Sequence, residues 1–113
     1  MPTTYASAHQ YPVTDSELVY LSVTIGQGAL GSTLVLLAGN HLCAGTGIQS
    51  FPIGKGADIR GKLMLITSAM SATQVLTSDE VDLAGGASPQ SWTDQHAGNP
   101  GDNVIYACTV LFV

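Results

Sequence analysis

NVIYACTVLFV, Asn103 to Val113, is apolar or β-branched at nearly every position and contains no charge, glycine or proline. A run of that composition is a strand. Side chains alternate across a strand, so Val104, Tyr106, Cys108, Val110 and Phe112 share one face, and Ile105, Ala107, Thr109, Leu111 and Val113 the other. Both faces are apolar, which predicts a position in the middle of a sheet or at an interface with another subunit.

Upstream, Glu17 to Ile25 alternates in the same way, with Val19, Leu21, Val23 and Ile25 against Leu18, Tyr20, Ser22 and Thr24, the pattern of a half-buried strand. Thr33 to Ala38 and His41 to Ala44 flank Gly39-Asn40, a tight-hairpin signal. Lys62 to Ser71 alternates again, and Gln74 to Thr77 and Val81 to Ala84 are shorter strand candidates. Gly45 to Gly61 is Gly-rich, contains Pro52 and reads as a loop or broken edge strand; Gly85 to Gly101 reads as a second loop. No long segment has a helical period. The expected fold is an all-β, single-domain antiparallel β-sandwich of seven or eight strands, immunoglobulin-like or jelly-roll-like, with a small barrel as the alternative. It occupies residues 17–113, preceded by an extended N-terminal arm over residues 1–16.

The chain has 113 residues, enough for one core, but only 10% of them are charged, against about 25% in ordinary soluble domains. All three positive charges, Lys55, Arg60 and Lys62, fall in one eight-residue stretch. Three clustered cations in a chain of net charge −5 cannot follow a phosphate backbone, so nucleic acid is not an expected partner. They are instead candidates for contact with an acidic partner or an acidic loop of another copy. A surface with so few charges favours association. No stretch approaches the length of a membrane helix, and Met1 to Gln10 has no signal-peptide pattern. The expected location is cytoplasmic, or outside the cell by a signal-independent route.

Gly26-Gln27-Gly28-Ala29-Leu30-Gly31 spells G-x-G-x-x-G after a strand, yet the apolar run that follows is too short for a crossover helix, and a glycine-rich hairpin turn is the better reading. Gly54-Lys55-Gly56 lacks the remaining residues of a phosphate loop. Asp102, Tyr106 and Cys108 have the spacing D-x-x-x-Y-x-C, which resembles the tyrosine corner of the immunoglobulin fold, with Cys43 65 residues before Cys108. That resemblance implies a sandwich. The chain departs from the family in that Trp92 lies 49 residues after Cys43, and no strand follows the second cysteine. The two cysteines read as small buried hydrophobes.

Candidate chemistry is sparse. Asp79, Glu80 and Asp82, and Asp94, Asn99, Asp102 and Asn103, are two acidic clusters without EF-hand spacing, and calcium is the one cofactor they bring into question. His41 and Cys43 sit two apart on one strand, a spacing that puts a thiol and a base on one face. Trp92, beside Ser, Gln and Asp, is the candidate binding aromatic, with Asp94, His96 and Asp102 as its polar companions. Two functions follow as expectations. The first is a non-enzymatic homo-oligomeric structural or protein-interaction module. The second is a lectin-like carbohydrate-binding domain, with or without calcium, using the loop around Trp92.

Overall fold

Asn103–Phe112 is a strand, β9, lying between two others in a five-stranded sheet. The computed structural model describes residues 3–86 and 88–113, and all elements refer to those. In chain order they are β1 (Thr3–Tyr11), β2 (Leu18–Gly26), β3 (Leu30–Leu37), β4 (Asn40–Gly45), β5 (Ile48–Lys55), a single helical turn α1 (Gly56–Ile59), β6 (Leu63–Ser71), β7 (Leu76–Ala84), β8 (Gln90–Ala97) and β9. One sheet has the order β1-β9-β6-β3-β4 and the other β5-β2-β7-β8. The two pack face to face as a β-sandwich, which is not a closed barrel.

The strand count among the described residues is nine, above the expected seven or eight: Thr3–Tyr11 and Gln90–Ala97, read as non-strand, are strands, Ile48–Lys55 is a whole strand within the stretch read as a loop or broken edge strand, and the two short candidates at Gln74 to Thr77 and Val81 to Ala84 merge into the single strand β7. Residues 3–11 are not a separate arm: β1 pairs with β9 in parallel from Thr3 opposite Val104 to Tyr11 opposite Phe112, the exception to an otherwise antiparallel ladder set. The connection is then pinned to the C-terminus, with Val13 N–H donating to the Val113 carbonyl and Val113 N–H donating to that of Tyr11, at 2.9 and 3.0 Å. Gln90–Ala97 lies inside the expected second loop, yet it pairs with β7 as an edge strand.

The turn signals resolve differently in detail. The β3–β4 hairpin turns at Ala38-Gly39, both at positive φ, one residue earlier than Gly39-Asn40. Gln27 and Gly28 also have positive φ, at 59° and 66°, and Ala29 N–H donates to the Gly26 carbonyl at 3.3 Å. That is a tight turn, but β2 and β3 belong to different sheets, so the G-x-G-x-x-G segment is a crossover corner and not a hairpin.

Two hydrophobic clusters fill the interior. The larger includes Val19, Leu21, Val23, Val35, Ile66, Leu83, Val110 and Phe112; the smaller is Met70, Val104 and Tyr106. Between the sheets lie also Thr33, Ser68, Thr77 and Asp79, each at most 3% exposed. Buried hydroxyls require partners. Thr33 and Ser68 bond to each other at 2.8 Å, and the Tyr106 hydroxyl donates to the Thr77 carbonyl at 3.0 Å. Tyr106 thus bridges to the opposite sheet, not back to its own connection as a tyrosine corner does. Both cysteines are free.

Candidate functional site

Trp92, Asp94 and His96 alternate with exposed Ser91, Thr93, Gln95 and Ala97 along β8, so the three candidates face the other sheet. They meet β1 there. Tyr5 stacks on His96 with ring centroids 3.6 Å apart, and His9 stacks on Trp92 at 4.2 Å. These stacks close the open side of the sandwich between its two edge strands, β1 and β8. Trp92 is therefore a packing residue, half-buried against the core, and not a free platform.

Asp94 lies opposite Asp79 in the β7–β8 ladder. Burial pushes the Asp79 pKa up from 3.8 to about 6; the Ser68 hydroxyl opposes the rise and the Asp94 carboxylate adds to it. Ser7 Oγ, His9 Nε2 and Asp79 Oδ1 are buried without a hydrogen-bond partner among the described residues. No three His, Cys, Asp or Glu side chains converge as metal ligands among the described residues.

The remaining candidates are dispersed. Asp102 belongs to the turn before β9: its carboxylate accepts from Asn99 N–H at 2.8 Å and its own N–H donates to the Asn99 carbonyl at 3.0 Å, the ordinary work of an Asp in a turn. Asp79 points inward while its neighbours Glu80 and Asp82 lie on the outer face, so that acidic run is not one ligand set. His41 and Cys43 are also separated. The β3–β4 register slips between Val35 and Leu36, placing Cys43 opposite Val35 and His41 opposite Leu36. A bulge reverses the alternation, so His41 is exposed while Cys43 packs on the core, where burial raises its thiol pKa.

Of the cations, Arg60 pairs with Asp15 and donates to the Val13 carbonyl at 3.1 Å, tying α1 to the β1–β2 connection. Lys55 and Lys62 are exposed. No helix is long and apolar enough to cross a membrane among the described residues.

The two outer faces, which sequence reading did not separate, differ sharply in chemistry. β1, β9, β6, β3 and β4 contain no Asp, Glu, Lys or Arg. The ladders place Ala6, Ala107, Thr67, Leu34 and Ala44 in one outward row, and Ala8, Thr109, Leu65, Leu36 and His41 in the next. Leu30, Leu34 and Leu63 on this face are 71%, 41% and 51% exposed. The outer face of the other sheet carries hydroxyls and acids: Ser22, Asp82 and Ser91 form one row, and Thr24, Glu80 and Thr93 another. The signal was present in the spacing, but only the strand order shows that five charge-free strands are neighbours.

Comparison with family models, characterised proteins and solved structures finds no match.

Proposed function

We propose that this chain is a non-enzymatic association module, a homo-oligomeric β-sandwich that packs the outer face of its five-stranded sheet against the same face of a second copy. The observation that carries this reading is the absence of any charged residue from all five strands of that sheet. A chain of net charge −5 repels its own copies wherever its acids face each other. Here they can meet without such a cost, because the strand-borne acids sit on the other sheet.

The size suits the purpose. Five strands at a spacing of about 4.8 Å, with roughly eight residues at about 3.3 Å each, make a face of roughly 600 Å². Pairing two such faces buries on the order of 1,200 Å², the lower end of stable interfaces. Exposed Leu30, Leu34 and Leu63, with half-buried Leu36 and Leu65 paired between the last two, provide the apolar contact among alanines and threonines, and a sheet packed on a sheet needs no new backbone hydrogen bonds. A twofold axis makes the interface self-complementary.

Native mass spectrometry across a concentration series tests this. A dimer or higher multimer is expected for the native chain, dissociating in Leu34→Lys and persisting in Thr93→Lys on the opposite sheet. A monomer at all concentrations, or dissociation by Thr93→Lys alone, overturns the reading.

A further inference from the structure

Beyond association, we propose that the outer face of the four-stranded sheet holds a binding site for a neutral pyranose sugar, built on Tyr20 and Asp82. The site does not rest on the association reading, since it lies on the opposite side of the molecule.

Tyr20 is 40% exposed and none of the aromatic pairs involves it among the described residues. Its ladder neighbours are Pro52 on β5 and Ala84 on β7, both short enough to leave the ring uncovered. One row over, Ser22 stands opposite Asp82, and Asp82 opposite Ser91. An apolar row therefore runs beside a row of hydrogen-bonding side chains across a shallow depression of about 260 Å³, which Ser50 and Gln90 also line.

The backbone is specialised at this spot. The β2–β5 register slips on either side of Tyr20 and Leu21, and Ser50, at φ 46°, occupies the left-handed region while its N–H donates to Ser22 Oγ at 2.9 Å. A bulge with a strained non-glycine residue re-aims side chains on an otherwise flat face, and such features cluster at binding sites.

The chemistry selects the ligand. A pyranose has a C–H face that lies on an aromatic ring and an edge of hydroxyls that donate to a carboxylate and exchange bonds with serine and amide groups. Asp82 makes no salt bridge among the described residues, so its oxygens remain acceptors for vicinal hydroxyls. No Lys or Arg lines the depression, which disfavours acidic sugars. The volume lies just below the usual range for ligand pockets, so the depression takes one sugar ring and no more.

The test is amide NMR of the full chain titrated with the methyl glycosides of glucose, galactose, mannose and N-acetylglucosamine. At least one is expected to shift the amides of Tyr20, Ser22, Asp82 and Ser91 saturably, with Tyr20→Ala and Asp82→Asn each weakening binding by about tenfold or more, Trp92→Phe leaving it unchanged, and Leu34→Lys leaving it unchanged whatever its effect on assembly. Retained amide dispersion establishes that each variant is folded. The proposal is overturned if no glycoside moves these amides, if binding survives both site variants, or if only a lysine-rich peptide shifts them.

Discussion

Asp79 on β7 stands directly opposite Asp94 on β8, on the side of the ladder turned toward the other sheet, and Asp79 is only 3% exposed. Taking a carboxylate out of water disfavours its ionised form, and a second carboxylate across the ladder adds to that effect on Asp79. Burial is the larger cause of the rise in the Asp79 pKa from 3.8 to about 6. Because the folded value lies above the unfolded one, the folded state binds the proton more tightly. Its contribution to stability is complete below about pH 4 and lost as pH rises through about 6.

Asp79→Asn keeps a neutral hydrogen-bonding group at all pH values. Its melting temperature is expected to exceed that of the native chain by on the order of 5 °C at about pH 8, with no advantage at about pH 4. An equal change at both pH values, read by calorimetry, contradicts the burial of this carboxyl.

Tyr11 is fully buried at the end of β1 and its hydroxyl donates to the Gly85 carbonyl just after β7, which clasps one sheet to the other. Removing the donor leaves that carbonyl unpaired while the ring still packs edge-on against Phe112. Tyr11→Phe is expected to lower unfolding free energy by about 1 kcal/mol in urea titration, whereas Gly85→Ala costs more. Gly85 has φ 90° and an added Cβ would strike the Leu18 carbonyl.

The stack of Trp92 on His9 makes a structural prediction for the residue first read as a ligand contact. Trp92→Ala is expected to destabilise the fold by on the order of 2 to 3 kcal/mol, since a half-buried ring leaves a cavity at the β1–β8 seam. Chemical denaturation checks this, and an unchanged midpoint would return Trp92 to the solvent.

Cys43 and Cys108 are free and their thiols are held protonated by burial, that of Cys108 to about 11, with a nearby Ser7 partly opposing the rise. Neither is expected to react with iodoacetamide near neutral pH on the timescale of an exposed thiol. Rapid labelling of Cys108 in the native state, measured by mass spectrometry, would contradict its placement between the sheets.

The strands whose inward faces are largely apolar were legible: β2 turns Val19, Leu21 and Val23 inward, β6 Met64, Ile66 and Met70, and β9 Val104, Val110 and Phe112. β1 and β8 were not, for a physical reason. On β1 the inward residues are Tyr5, Ser7, His9 and Tyr11 and the outward ones include Ala6 and Ala8, which inverts the usual hydropathy of a half-buried strand. On β8, Trp92, Asp94 and His96 face inward amid polar outward neighbours. Aromatic stacking replaces aliphatic packing along this seam, and alternation scored by hydropathy cannot see it. The bulge that parts His41 from Cys43 was equally hidden, because it depends on a register between strands. The scarcity of charge was plain from composition, but its concentration in one sheet follows from the order β1-β9-β6-β3-β4, which places residues from both ends of the chain side by side.

The claim that this sheet's outer face is the contact between copies is tested most directly by cysteine cross-linking. Thr67 lies midway along β6, the central strand of that sheet, close to where a twofold axis through the face would pass. In a Cys43→Ala background, Thr67→Cys is expected to form a covalent dimer under mild oxidation, more readily as concentration rises toward assembly, while Thr93→Cys on the opposite sheet does not. Equal cross-linking at both positions, or at Thr93→Cys alone, would contradict the account.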